Sequence, residues 1–122
     1  MTRACERQIE IDAPPAAVWA VLTDIQRWPD WIASYRSVRR LDDGILSVGS
    51  QARIKQAGIR PVTWTVTELD PGQRFDWESA APGVRTSAHH VIATDGTGTT
   101  ELRLGINQQG PLSGIVARLF GS

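Results

Sequence analysis

The stretch IEIDAPPAAVWAVLTDIQRWPDW, residues 9–31, decides how this chain folds. It begins with apolar and charged residues that alternate from Ile9 to Ile11, which is the pattern of a half-buried β-strand. Pro14 and Pro15 follow, and proline is well tolerated in the first turn of a helix. Apolar residues then recur at helical spacing from Val18 to Leu22. The stretch therefore predicts a strand followed by a short amphipathic helix.

The end of the stretch predicts a second, shorter helical segment. Pro29 disfavours helical backbone at the residue before it, so we expect the first helix to end near residues 25–28. Asp30 is then placed to cap a helical turn that runs through Ala33 or Ser34.

Two tryptophans lie in this connection, and each side chain can bury ~150–250 Å². Trp28 and Trp31 either pin the helical segments onto the rest of the fold or line the mouth of a pocket. We favour the structural role for Trp28, whereas both roles are equally supported for Trp31.

The chain from Val38 onward alternates between segments typical of strands and segments typical of turns. Gly, Pro and Asp mark the turns in DDG, DPGQ and DGTGT. The six strand-like segments are SVRRLD, SQARIKQ, PVTWTVTEL, RFDWES, VRTSAHHVIAT and TELRLGI. Apolar residues from Leu112 to Phe120 then return to helical spacing, which predicts a C-terminal helix. The order of elements predicts a single α+β domain over residues 1–122, with an antiparallel sheet.

Composition excludes several classes of protein. Thirteen Lys and Arg residues balance thirteen Asp and Glu residues, which argues against a nucleic-acid-binding surface. Cys5 is the single cysteine, so we expect no internal disulfide and a reducing compartment. We find no run of 18 apolar residues and no secretory signal, and therefore expect a cytoplasmic protein without stable membrane insertion.

The opening stretch is similar to the start of the helix-grip (SRPBCC) superfamily, which contains START lipid-transfer domains, pollen-allergen-type proteins and bacterial polyketide cyclase/dehydrase-like proteins. The downstream segments VGSQARIK, WTVTELDPGQRFDWES and HHVIATDGTGTTELRL match in the same order. The resemblance implies a seven-stranded antiparallel sheet, curved around a long C-terminal helix, with two small helices after the first strand. It also implies an apolar cavity between the sheet and that helix.

The end of this sequence departs from the pattern of the superfamily. Only twelve residues follow Gly110, enough for at most about 18 Å of helix. Such a short helix cannot cover the whole concave face of a sheet. We therefore expect a shortened chain, a pocket open on one side, or a second copy of the chain that covers the pocket as a homodimer.

The residues that this fold implies for ligand binding are inward-facing apolar and aromatic side chains. Trp64 and Trp77 fall in phase with other apolar residues on adjacent predicted strands, and a core and an apolar pocket use the same residue types. Successive strand residues face opposite ways, so of the two histidines we expect His90 to point inward. His90 is a candidate general acid or base or a polar anchor, with a hydrogen-bonded core histidine as the alternative. The candidate set is Trp31, Tyr35, Ile54, Trp64, Val66, Phe75, Trp77, His90, Leu104, Ile115 and Leu119.

The sequence leaves three functions open, and we expect no metal, no cofactor and no nucleophile motif in any of them. The favoured function is binding of a small hydrophobic or aromatic molecule, lipids included, without catalysis. The second is a polyketide cyclase, aromatase or dehydratase activity in which His90 acts with Tyr35 or Arg7 in one pocket. The third is a protein-interaction or chaperone-like helix-grip module.

Overall fold

The computed structural model describes residues 2–81, 83–94, 96 and 98–109. Its helices are α1 (Pro15–Thr23) and a 3₁₀ helix (Ile25–Asp30). Its strands are β1 (Thr2–Ile11), β2 (Tyr35–Arg40), β3 (Gln51–Gln56), β4 (Val62–Asp70), β5 (Arg74–Ala81), β6 (Val84–Thr94) and β7 (Thr100–Gln109). The predicted C-terminal helix, residues 112–120, lies outside the described residues. Among those described, no helix has the length and apolar character needed to cross a bilayer.

The seven strands form one curled antiparallel sheet in the order β1-β7-β6-β5-β4-β3-β2. This confirms the predicted fold class. The register shifts between Tyr35 and Ser37 in β2 and between Val66 and Glu68 in β4. Such irregularities bend a strand and increase its twist, which helps the sheet to curl.

The register of the sheet divides its side chains between two faces, because residues directly opposite in an antiparallel pair point the same way. The face that packs against the helices, which we call the inner face, carries mostly apolar residues. Its buried apolar members are Val38, Ala52, Ile54, Trp64, Val66, Phe75, Trp77, Ala88, Ile92 and Leu102. The outer face carries charged and polar residues such as Gln8, which lies opposite Arg103.

The two helical segments follow β1, as the sequence predicts, but the second begins earlier than expected. α1 starts after Pro14 and buries Val18 and Leu22, which lie one turn apart on the same side. The sequence predicts that the second segment begins after Pro29, with Asp30 as its cap. In the structure Pro29 lies inside the 3₁₀ helix. A 3₁₀ segment of this length uses few hydrogen bonds, and a proline within it removes only one.

Candidate functional site

Trp28 lies at the centre of an aromatic cluster on the inner face. Its ring centroid lies 5.2 Å from that of Trp77, 5.6 Å from His90 and 5.8 Å from Tyr35. The planes are inclined by 49–64°, which includes the edge-to-face arrangements that aromatic rings prefer. The indole Nε1 donates a hydrogen bond of 3.1 Å to the Leu22 carbonyl at the end of α1. Trp28 therefore ties the helical connection to the sheet.

The candidate residues on β3, β4 and β5 are packed against one another or fully covered. The Trp64 and Trp77 centroids lie 5.5 Å apart, and those of Phe75 and Trp77 lie 5.4 Å apart. Phe75 is 0 % exposed, while Ile54 and Val66 are at most 2 % exposed. In this part of the inner face, side chains fill the space between the sheet and the 3₁₀ helix.

The remaining candidates are distributed differently. Tyr35 and Leu104 are half-buried and pack against the core, and Trp31 is 52 % exposed and approaches the cluster at Trp28. Ile115 and Leu119 lie outside the described residues. The structure thus brings most of the set onto one face and leaves Trp31 at the margin.

His90 points inward, as the strand alternation predicts, and is held in one orientation. Its ring stacks on Phe75 with centroids 4.2 Å apart, and Nδ1 lies 3.0 Å from the Phe75 carbonyl. Because a carbonyl can only accept, Nδ1 carries the proton and Nε2 carries the lone pair. Burial lowers the pKa of His90 from 6.5 to about 4, against the opposing effect of the Phe75 hydrogen bond. At neutral pH the ring is uncharged, and Nε2 can accept a hydrogen bond.

Two other groups named for a catalytic role lie near His90. Burial raises the pKa of Tyr35 to about 12, so its phenol remains protonated, and its ring contacts Trp28 on the same cluster. Arg7 is exposed on β1 opposite Leu104, which in turn lies opposite His90. Two strand spacings of ~4.8 Å separate the Arg7 and His90 backbones, so a ligand about 10 Å long can contact both residues.

A row of three buried polar residues crosses the inner face and was missed by sequence reasoning. Ser79 on β5 lies opposite Thr86 on β6, and Thr86 lies opposite Gln108 on β7. We call these three residues the polar row; they are 8 %, 3 % and 2 % exposed, respectively. Thr86 lies four residues before His90 on β6, so the alternation that places His90 on the inner face also places Thr86 there. The next inner-face position on β6 is Ala88, which lies opposite Trp77 and Ile106.

A concave pocket of about 320 Å³ lies where α1 meets the loop between β2 and β3. None of the candidate residues lines it. Its walls are formed by Trp19, Ala20, Thr23, Asp24, Arg40, Gly44, Ile45, Leu46, Leu69 and Pro71. The cavity predicted between the sheet and the C-terminal helix involves residues 112–120, which the structure does not describe.

The outer face carries an ion-pair network around Asp76. Arg74 contacts both carboxylate oxygens, at 3.0 and 2.6 Å, and His89 Nδ1 lies 2.9 Å from Oδ2. Burial acts to raise the pKa of Asp76, but the hydrogen bonds from Arg74 and His89 outweigh it and lower that pKa below its ordinary value. Within the described ranges, no cluster of His, Cys, Asp and Glu is arranged to hold a metal ion.

Residues 2–121 match the sequence model of a family described as polyketide cyclase/dehydrase and lipid transport. No protein of curated function shows significant sequence similarity to the chain. Among solved structures, the ZhuI aromatase/cyclase from Streptomyces sp. R1128 is 26 % identical, with a TM-score of 0.73 over 90 % of this chain and 69 % of that one.

Two further structures are similar in fold alone. Norcoclaurine synthase from Thalictrum flavum is 12 % identical, with a TM-score of 0.75 over 98 % of this chain and 77 % of that one. A hypothetical protein of Helicobacter pylori is 14 % identical, with a TM-score of 0.81 over 95 % of this chain and 75 % of that one.

Proposed function

This chain belongs to the polyketide cyclase/dehydrase and lipid transport family, and we propose that it binds a small hydrophobic or aromatic molecule on the inner face without changing it chemically. The family and the solved neighbours indicate a fold used for ligand binding. The identity of the ligand and the lack of catalysis are our proposal.

The observation that carries the proposal is a contrast within the inner face. The Trp28 cluster fills the part around Phe75 and His90. Farther along β6 the inward side chains become small, first Ala88 and then Thr86. Because Ala88 is small and lies between Trp77 and Ile106, we expect a depression above it with apolar walls, which are typical of sites for small molecules.

The state of His90 supports binding over catalysis. A general acid or base works best with a pKa near the operating pH, and the pKa of His90 is about 4. At neutral pH the ring has no second proton to donate and is a weak base. Nε2, for which the described residues supply no hydrogen-bond partner, is instead suited to accept one hydrogen bond from a ligand hydroxyl or N–H group.

A cyclase or dehydratase activity is the second candidate, because the Streptomyces protein that is 26 % identical is an aromatase/cyclase. The row from Arg7 through Leu104 to His90 supplies one cation and one acceptor for such a reaction. The variant His90→Phe separates the two candidates. It keeps a ring on Phe75 but removes Nε2, so a binding protein retains its ligand with the loss of at most one hydrogen bond, whereas an enzyme that depends on His90 loses turnover.

The decisive test replaces Ala88 by a larger side chain that would occupy the expected depression. Native mass spectrometry of freshly purified protein identifies co-purifying small molecules, and the dye N-phenyl-1-naphthylamine measures binding of a generic aromatic ligand. We expect Ala88→Leu to weaken dye binding at least tenfold. The matched variant Ala80→Leu, on the exposed outer face of β5, should leave it unchanged.

The stability of Ala88→Leu distinguishes an open depression from a filled interior. Extra methylenes in a filled core cost about 1–3 kcal/mol, whereas an open site accepts them at little cost. A variant that loses more than about 1 kcal/mol, together with a wild-type protein that binds no dye, would refute the proposal. Light scattering on the same sample tests the homodimer, one of the three alternatives for covering the open face, because Ile9 and Ile106 are 44 % and 36 % exposed on the inner face. A clean monomer contradicts that alternative.

A further inference from the structure

We infer that the pocket between α1 and the loop joining β2 to β3 binds a small, uncharged carbonyl compound, and that Arg40 donates a hydrogen bond to its carbonyl oxygen. The pocket is separate from the site proposed above, because neither Ala88 nor any residue of the candidate set lines it. Its volume of about 320 Å³ is near the lower end of the ~300–1,000 Å³ typical of small-molecule sites. A molecule of one or two rings therefore suits it.

Arg40 brings a positive charge to the wall of this pocket from an unusual position. It lies opposite Ala52, which in turn lies opposite Trp64, so its side chain leaves β2 on the inner face. The side chain is only 18 % exposed. Charged side chains are rarely buried unless they are paired, because removing them from water is costly. A cation placed here is better explained by a partner than by packing.

The described residues leave the hydrogen-bonding capacity of Arg40 partly unused. Nη1 donates to the Gly44 carbonyl, and Nη2 donates to the Asp42 carboxylate over 3.1 Å. Nε is buried and has no partner among the described residues. Gly44 lines the same pocket, so the Nη1 end of the side chain lies at its wall, where Nη1 has a further N–H to donate. A guanidinium group has no acceptor, so the ligand must supply one.

The charges around the pocket favour an uncharged acceptor. Asp42 already pairs with Arg40, and Asp24, which lines the pocket at the end of α1, lies 3.4 Å from Arg27. A ligand carboxylate would be attracted by Arg40 but repelled by both aspartates. A carbonyl oxygen accepts the hydrogen bond from Arg40 without that repulsion.

The other walls of the pocket select an apolar body for the ligand. Trp19, Leu46 and Leu69 contribute apolar surface. Ile45 also lines the pocket, yet it is 91 % exposed. A ring that lies against Ile45 removes apolar surface from water, which favours binding. An aryl ketone combines such a ring with the carbonyl oxygen that Arg40 requires.

The test compares three one-ring probes on the full chain. Acetophenone carries an uncharged carbonyl, ethylbenzene has nearly the same shape without it, and benzoate carries a charge. Titrations followed by ¹H–¹⁵N NMR give each dissociation constant, and the amide signals of Ile45 and Leu46 should shift. We expect acetophenone to bind about threefold to tenfold more tightly than ethylbenzene, and also more tightly than benzoate.

Two pairs of variants assign the binding to this pocket. Arg40→Met should make acetophenone and ethylbenzene bind equally, whereas Arg53→Met, on the outer face of β3, should retain the preference. Ala20→Phe places a ring in the pocket and should abolish binding of both probes. Ala17→Phe, exposed on α1 outside the pocket, should not. Ala20 is also exposed, so its variant keeps the test valid even if thermal unfolding shows that Arg40→Met does not fold.

Several outcomes would overturn the inference. Equal affinities of acetophenone and ethylbenzene for wild-type protein, or a preference that survives in a folded Arg40→Met, remove the hydrogen bond from Arg40. Tighter binding of benzoate makes the pocket an anion site instead. Binding that is lost in Ala88→Leu but kept in Ala20→Phe places acetophenone on the inner face. The proposed function fails separately, because it depends on dye binding that Ala88→Leu weakens and Ala20→Phe leaves unchanged.

Discussion

Replacing Trp28 by alanine should destabilise the protein far more than the same change at Trp31. Trp28 is 3 % exposed, contacts aromatic rings on β2, β5 and β6, and donates its indole N–H to the Leu22 carbonyl. Truncation of a buried aromatic residue to alanine costs about 3–5 kcal/mol. At ~2.1 cal/mol/K per residue, 122 residues give roughly 4 °C for each kcal/mol, so the melting temperature should fall by about 12–20 °C.

Trp31 supplies the matched control, because it lies three residues away and contacts the same cluster from its margin. Half of its surface is already exposed, so its loss should cost about 1 kcal/mol, or roughly 4 °C. Differential scanning calorimetry of the two variants measures both values. Equal losses, or a larger loss for Trp31→Ala, would refute the conclusion that Trp28 anchors the helical connection and that Trp31 does not.

Three titrations test the electrostatic description. The folded protein holds the pKa of His90 at about 4 against 6.5 in the unfolded chain, so stability present above pH 6.5 should be lost as the pH falls toward 4, by up to about 1.4 kcal/mol per pH unit; a native NMR titration midpoint of His90 near 6.5 would contradict this. The pKa of Asp76 is lowered, so its ion pairs stabilise the fold at neutral pH and that stabilisation is lost below about pH 4. The deficit of Asp76→Asn relative to wild type in thermal melts should therefore shrink between pH 6 and pH 3, and a constant deficit would count against the network. Tyr35 is the single tyrosine, so absorbance at 295 nm reports it alone; we expect a midpoint near 12 while the protein is folded, and a midpoint near 10 would show that the phenol is not buried.

The sheet was largely predictable from the sequence, because period-two alternation depends on burial of one face and nothing else. The boundaries of β6 coincide with the predicted segment VRTSAHHVIAT, and His90 points inward as its phase requires. The position of the 3₁₀ helix was not predictable in the same way. Proline constrains the residue before it strongly in an α-helix, and the packing of Trp28 on the sheet is a long-range contact that no local pattern reveals.

The candidate site was predicted as a set of residue types rather than as a geometry. Alternation places Trp64, Phe75 and Trp77 on the inner face, but it does not say that Trp28 fills the space above them. The polar row required the register of β5, β6 and β7, since Ser79, Thr86 and Gln108 lie on three different strands and Gln108 is 22 residues from Thr86. Register depends on strand pairing in three dimensions, and a single sequence does not state it.

The pairing of β1 with β7 joins the first of the described strands to the last, from Thr2 opposite Gln109 to Ile11 opposite Thr100. During synthesis β1 precedes β7, its one partner among the described strands, by about 5–20 s at ordinary translation rates. Throughout that interval it is an unpaired strand, the kind of segment that aggregates with other nascent chains. Glu6, Arg7 and Glu10 interrupt its apolar residues with charges of both signs, which discourages such pairing until β7 has been made.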